Sequence, residues 1–230
     1  MIFVSLLWKI RLFLKSMNVL KNWYQYPLSY FGLVQNLCIF KTTKGPKLII
    51  RSSKTSTDIH IFTEIWIEGE YDENGFEIKS DDIVIDIGAH AGFFSLKASQ
   101  TCTRGKILSF EPFPNNFEIL KKNLELNNIS NIYPKNIAVS KDVGKCKLYL
   151  GHDSTNSIVK QKEHFIEVST TTLEKIFDDN KLTHCNLLKL DCEGSEYEIL
   201  FSTNPSIFKK IKKICMEYHV IPESKYTVEE

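Results

Sequence analysis

The sequence has no uninterrupted apolar run long enough to cross a bilayer, no CxxC pair, no repeat or low-complexity stretch, and no GxGxxG loop. A spanning helix needs about 20 consecutive apolar residues, and the N-terminal run MIFVSLLWKIRLFLKSMNVL is broken at Lys9, Arg11 and Lys15. Its charges follow the apolar start and no small-residue cleavage site is evident, so it does not read as a secretory signal. The six cysteines (Cys38, Cys102, Cys146, Cys185, Cys192 and Cys215) are scattered, with no histidine at zinc spacing. They read as reduced, buried thiols of a cytoplasmic protein. An excess charge of either sign is also missing: Lys plus Arg total 29 against 28 for Asp plus Glu. Nothing in that balance calls for a nucleic-acid partner.

What is present suits one sizeable α/β domain with an appendage: 230 residues, 43% of them apolar. Residues 1–44 read as a helical N-terminal extension, 45–80 as pre-core strands and a helix, and 81–230 as the core. In the extension, Ile2, Phe3, Leu6, Leu7, Ile10, Phe13, Leu14 and Met17 share one helical face, with Val4, Trp8 and Leu12 away from it. The preferred reading is a helix packed on the domain or on a second subunit. The alternative is peripheral membrane contact through residues 1–17.

CIFKTTKGPKLIIRSS follows as two short strands around a turn, then a helix from Thr57 or Asp58 that stops at Gly69. From residue 81 strands and helices alternate. DDIVIDIG, KILSF, NIYPKNIAVS, KCKLYL, the run around FIEVSTTTL, NLLKLD and IKKICMEYH read as strands. GFFSLKASQ, NNFEILKKNLELNN, LEKIFDD and SEYEILFS read as helices. The third-strand run NIYPKNIAVS is taken as continuous. Phe117, Leu120 and Leu124 should face inward, and Asn115 with Glu118, like Ser195 with Glu198, has capping-box spacing. The alternation predicts a doubly wound, mostly parallel sheet covered on both faces.

VIDIGAHAGFFS places Gly88 at a strand end and Gly92 at a helix start. His90 takes the middle position of a dinucleotide loop and Phe93 the third glycine position, which argues against NAD and an oxidoreductase. Asp86, two residues before Gly88, suits a ligand with a cationic amino group, such as S-adenosylmethionine (SAM). The bland alternative is a simple glycine turn. Glu111, ending LSFEPF at a second strand tip, can accept both hydroxyls of a ribose. NLLKLDCEGSEYEIL puts Asp191 and Glu193 at another strand tip, over the ligand crevice. Glu196 and Glu198 have a structural explanation as acids of a first helical turn. Glu217 and His219 alternate to one side of the next strand, near its tip. His219 is the leading general base, with Glu217 or Asp191 orienting it. A divalent cation held by these groups is the second reading, and oxygen-rich ligands would suit magnesium or manganese. His60, His152, His164 and His184 read as surface or loop residues. Ser154, Asn156 and Ser157 are candidate substrate contacts, and Arg51 and Asp58 are candidates to close over the cleft.

The order of these segments resembles the FkbM family of SAM-dependent methyltransferases. The resemblance runs over roughly residues 48–219, through VIDIGAHAGFFS, FEPFPNNFEILKKNLELNN, NIAVS, TTLEKI, LLKLDCEGSEYEIL and ICMEYH. It implies a class I, Rossmann-like methyltransferase, mostly of hydroxyl or carboxyl groups on sugars, glycolipids or natural products. It implies that Asp86, Gly88, His90, Gly92 and neighbouring Phe93 line the methionine part of SAM, with Glu193 beside the cofactor. It also implies that Glu111 holds the ribose and that Ala138 lies near the adenine. Class I sheets ordinarily carry two more strands after the one ending MEYH, whereas eleven residues follow His219 here. The expectation is therefore a domain lacking its C-terminal strands, with a non-catalytic binding or scaffold protein as the alternative function.

Overall fold

The computed structural model describes residues 2–34, 36–52, 56–72, 74–150 and 164–217. The helices are α1 (Ile2–Val19), α2 (Gln25–Tyr30), α3 (Asp58–Phe62), α4 (Phe93–Ser99), α5 (Pro114–Asn127), α6 (Leu173–Asp179), α7 (Glu196–Ser202) and α8 (Pro205–Phe208). The strands are β1 (Asn36–Lys41), β2 (Lys47–Ser52), β3 (Ile83–Ile87), β4 (Lys106–Phe110), β5 (Ile132–Lys135), β6 (Ala138–Val139), β7 (Gly144–Tyr149), β8 (Phe165–Thr171), β9 (Leu187–Leu190) and β10 (Ile214–Met216).

The main sheet runs β10-β9-β3-β4-β5 and every pairing in it is parallel. In chain order that is 5-4-1-2-3, the doubly wound Rossmann-like arrangement, with its reversal between β3 and β9. The central strands are buried on both faces, as their mostly apolar runs require, with Asp86, Ser109 and Lys189 the buried polar exceptions. A hairpin of β1 and β2 and a small sheet β6-β8-β7 stand outside it. Asn123 stitches the hairpin to the core: its Oδ1 accepts from the Ile49 amide at 2.7 Å, and its Nδ2 donates to the Ala91 carbonyl at 3.0 Å.

Several local expectations are corrected. NIYPKNIAVS is two strands, β5 in the main sheet and β6 in the small one. Asn136 between them turns the chain by donating to the carbonyls of Glu111 and Pro112. The capping box at Asn115 and Glu118 does not form. Pro114 starts α5 one residue earlier, which suits its fixed φ, and Glu118 pairs instead with Lys122 at 2.6 Å. Phe117 is half-buried, and Ile119 joins Leu120 and Leu124 inside. Gly69 does end the third helical segment, in a left-handed conformation, but the segment first widens to π geometry over Thr63–Glu68.

The N-terminal helix packs by a different face from the one its apolar stripe suggests. Leu12, placed off that stripe by periodicity, is 1% exposed and lies in the core with Ser16 and Leu20. Leu7, Ile10, Leu14 and Met17 face outward. A narrow seam with a small residue, Ser16, lets the helix approach closely, so apolar count alone does not choose the buried face. No helix among the described residues is long and apolar enough to cross a membrane.

Candidate active-site cleft

The strand reversal leaves a crevice beyond the carboxyl ends of β3, β4 and β9, where open α/β sheets bind ligands. A cleft of about 300 Å³ lies there. Gly88, His90, Glu111, Ala138, Asp191, Glu193 and Glu217 all line it. Asp86, Gly92 and Phe93 do not: they stand behind its wall.

Gly88 makes the crevice close-fitting. Its φ is +80°, and a Cβ there would collide with the Asp191 carbonyl, so a side chain would force the two strand tips apart. The Gly88 and Ala89 amides both donate to the Phe110 carbonyl at 3.0 Å, tying the loop to β4. His90 then turns left-handed, φ 50°, and aims its amide at Glu111. The Glu111 carboxylate accepts from the amides of His90 (2.7 Å) and Phe113 (2.9 Å) and, more distantly, from Asn116 Nδ2 (3.5 Å). Burial pushes its pKa up to about 7 against the pull of those donors.

Asp86 is buried beneath this loop. Its Oδ2 accepts from the Ser95 hydroxyl at 2.6 Å, and its Oδ1 lies 3.3 Å from the Lys189 ammonium. Gly92 opens α4 with φ 83°, against Leu120. Phe93 packs on His90, and its carbonyl accepts from Trp66 Nε1 at 3.1 Å.

Lys189 is a site residue the sequence reading missed. It is 2% exposed, within the leucine strand β9, and reaches Asp86, Asp191 Oδ2 (3.2 Å) and the Gly88 carbonyl (3.2 Å). Burial opposes its charge, but the flanking Asp191 and Asp86 hold its pKa well above the ordinary lysine value. Tyr71 and Phe94 present their rings to the ammonium at 5.5 and 5.8 Å. The Tyr71 hydroxyl also donates to Asp191 Oδ2 at 3.4 Å.

The opposite rim comes from the π-helical turn and the residues after it. Glu64, Glu70 and Tyr71 line the cleft with Asp191 and Glu217, and neither glutamate was expected there. Glu64 remains open to solvent, yet partial burial, then Glu70, Glu217 and Asp191, push its pKa up to about 7. His60, read as a surface residue, is exposed and also lines the rim.

Arg51 and Asp58 do sit beside the cleft, as a fixed network. Asp58 is fully buried, and Arg51 grips it through Nη2 at 2.6 Å and Nε at about 3 Å. Arg51 Nη2 also donates to Asn116 Oδ1 (2.8 Å) and to His90 Nε2 (3.3 Å). Since arginine only donates, Nε2 is the acceptor and the proton of the neutral imidazole sits on Nδ1. Burial lowers the His90 pKa to about 4, Asp58 working against that shift and Arg51 with it.

Glu196 and Glu198 do stand in the first turn of α7, as expected, but their side chains do different work. Glu196 is 1% exposed, and its carboxylate accepts from the Cys192 (2.7 Å) and Gly194 (2.8 Å) amides. It clamps the loop that carries Glu193, whose φ is 56°. Ser195 makes no side-chain cap, and Glu198 pairs with Lys141 at 3.1 Å. His219, Ser154, Asn156, Ser157 and His152 lie outside the described residues. Among the described residues, no three carboxylate, histidine or cysteine side chains gather as metal ligands.

Residues 86–228 match the methyltransferase FkbM domain family. A relative in Beauveria bassiana, Methyltransferase 1, is 26% identical over 68% of this chain and 72% of its own. The hexuronic acid methyltransferase AglP of Haloferax volcanii is 23% identical over 68% and 66%. The crystal structure of methyltransferase FkbM from Methylobacillus flagellatus is 19% identical, with a TM-score of 0.38, over 55% of this chain and 30% of its own. Strand order and the family match together place the chain among Rossmann-like methyltransferases: it belongs to the FkbM methyltransferase family.

Proposed function

We propose that the chain is a SAM-dependent O-methyltransferase acting on a hydroxyl or carboxyl oxygen of a sugar, glycolipid or natural-product acceptor. The observation that carries this reading is the pairing, in one cleft, of the buried Glu111 carboxylate with a rim of carboxylates across from it. The donor set fits the cofactor. Glu111 offers two oxygens to a ribose diol, and Phe110, Ala138, Val139 and Leu148 offer an apolar wall to an adenine. Asp191, Glu64, Glu70 and Glu217 offer negative charge to a sulfonium and an ammonium. When bound, the cofactor supplies an electrophilic methyl group.

The chain's own task is to hold an acceptor oxygen in line with that methyl and remove its proton. Asp191 and Glu217 face the cleft for this role, and His219 follows Glu217 by two residues. The hexuronic acid relative supports a sugar acceptor.

Calorimetry with SAM and with NAD on the full chain tests the cofactor, followed by transfer of labelled methyl to hexuronate-bearing glycans. SAM should bind and NAD should not, and Glu111→Ala should weaken SAM binding by about tenfold or more, the loss of a charge-assisted contact. Failure to bind SAM would remove the reading. Binding without transfer to any acceptor would favour the scaffold alternative, and loss of turnover with EDTA would favour the cation.

A further inference from the structure

Among the described residues, nothing covers the outward face of α1. Leu7 and Leu14 are 56% and 60% exposed, with Trp8, Ile10 and Met17 also exposed. At 100° per residue, Leu7, Ile10, Leu14 and Met17 form one stripe. Arg11 and Lys15 run along one edge of it, and Lys9 lies toward the other. The apolar surface continues across Phe13 onto Phe31, which is also exposed and meets the Phe13 ring at 5.7 Å. Trp23 and Tyr24 stand exposed just beyond the end of the helix.

Charge is divided along the chain in a way the near-zero total conceals. The first 57 residues contain nine lysines and arginines and no acid; the rest contains twenty against all 28 acids. We propose that this face of α1, with its basic edges and flanking aromatics, docks the protein on the surface of an anionic lipid bilayer, lying in the interface without spanning it. The leucines of the stripe, with Ile10 and Met17, enter the acyl boundary while the flanking ammonium and guanidinium groups reach the headgroups.

The charge distribution selects this occupant over two others. A symmetric contact with a second copy would set Arg11 and Lys15 against the same residues, with no acid in that stretch to neutralise them. A nucleic acid would neutralise the basic groups but would leave the leucine stripe without an apolar phase to enter. The helix also packs on the π-helical turn that supplies Glu64 and Ile65 to the cleft. Docking therefore braces one wall of the cleft from outside. The inference is independent of the methyl-transfer chemistry.

Co-sedimentation of the full chain with vesicles tests it, using phosphatidylcholine alone and phosphatidylcholine mixed with phosphatidylglycerol. The anionic vesicles should bind at least about tenfold more protein, and the preference should shrink as salt is raised. Leu14→Glu should lower binding about tenfold or more, and Arg11→Glu with Lys15→Glu should abolish the anionic preference. Since Arg11 and Leu14 are exposed and Lys15 is half-buried outside the core, circular dichroism and thermal unfolding should match the parent. The proposal is overturned if the parent chain does not pellet with anionic vesicles, or if Leu14→Glu pellets as well as the parent. It is equally overturned if sedimentation equilibrium shows a dimer that Leu14→Glu dissociates.

Discussion

At the scale of single residues, the cleft is an arrangement of carboxylates at two depths. Asp86 lies deep, neutralised by Lys189, which also steadies Asp191. A buried ion pair of this kind is a poor source of net stability, but removing one partner strands the other. Glu64 lies at the rim and is the group most open to titration, because its pKa of about 7 reflects partial burial and the repulsion of Glu70, Glu217 and Asp191. The sign of its pH dependence differs between the empty and the loaded protein. In the empty protein the raised pKa favours the protonated form, so its contribution to stability is full below about 4.5 and is lost as pH rises through 7. A cationic ligand favours the ionised form and must expel that proton. SAM affinity should therefore rise with pH between about 6 and 8, and calorimetry in two buffers of different ionisation enthalpy should register proton release near pH 7. Glu64→Gln should flatten both. A proton balance at pH 7 identical in the parent and in Glu64→Gln would show that this carboxylate does not face the cation.

At the scale of elements, the sharpest device is the loop from Cys192 to Gly194. Glu193 and Gly194 both hold positive φ, which the backbone adopts at a cost for a non-glycine residue. Glu196 offsets that cost by accepting two amides from within its own low-dielectric pocket. Glu196→Ala should destabilise the protein by about 2–3 kcal/mol, two charge-assisted bonds lost together. Urea denaturation measures this, and Glu196→Gln, which keeps one acceptor, should recover part of it. Equal stability of the alanine variant would mean that the loop holds its shape unaided. The same loop marks what was legible in sequence and what was not. Strand–glycine–helix spacing places Gly88 and Glu111 because both follow from the strand's end and the turn after it. Spacing alone gives Glu196 a place in a first helical turn but cannot say that its carboxylate folds back. Lys189 reads as a break in a leucine run, since its two aspartates come from separate strand ends. Glu64 and Glu70 owe their place to a π turn, which leaves no period in the sequence. Asn115 and Glu118 fit a capping pattern that Pro114 overrides by starting α5 first.

At the scale of the whole molecule, one of the apolar clusters runs across the boundaries between extension, pre-core and core segments. Phe40, Leu48, Ile50 and Phe62, all before residue 81, are fully buried with Val84, Phe93, Leu96 and Leu120. Phe62 bridges the groups, 4.9 Å from Phe40 and 6.5 Å from Phe93. Polar ties run the same way: Asn127 exchanges hydrogen bonds with the Lys47 backbone at 2.7 Å, and Lys97 donates to the Ile65 carbonyl at 2.6 Å. A fragment of residues 81–230 would expose the outer face of α4 and α5 and lose Glu64, Glu70 and Tyr71 from the cleft. Each large apolar side chain left without its cover costs about 1.5–3 kcal/mol. A handful of such losses reaches the roughly 5–15 kcal/mol that stabilises a whole domain. The fragment, although it contains the whole of the family match, should therefore show no cooperative urea transition and should bind a hydrophobic dye. A sharp transition at the parent's midpoint, with SAM affinity unchanged, would show that the first 80 residues are an appendage. Their share in the apolar cluster under α4 and α5 predicts the first outcome.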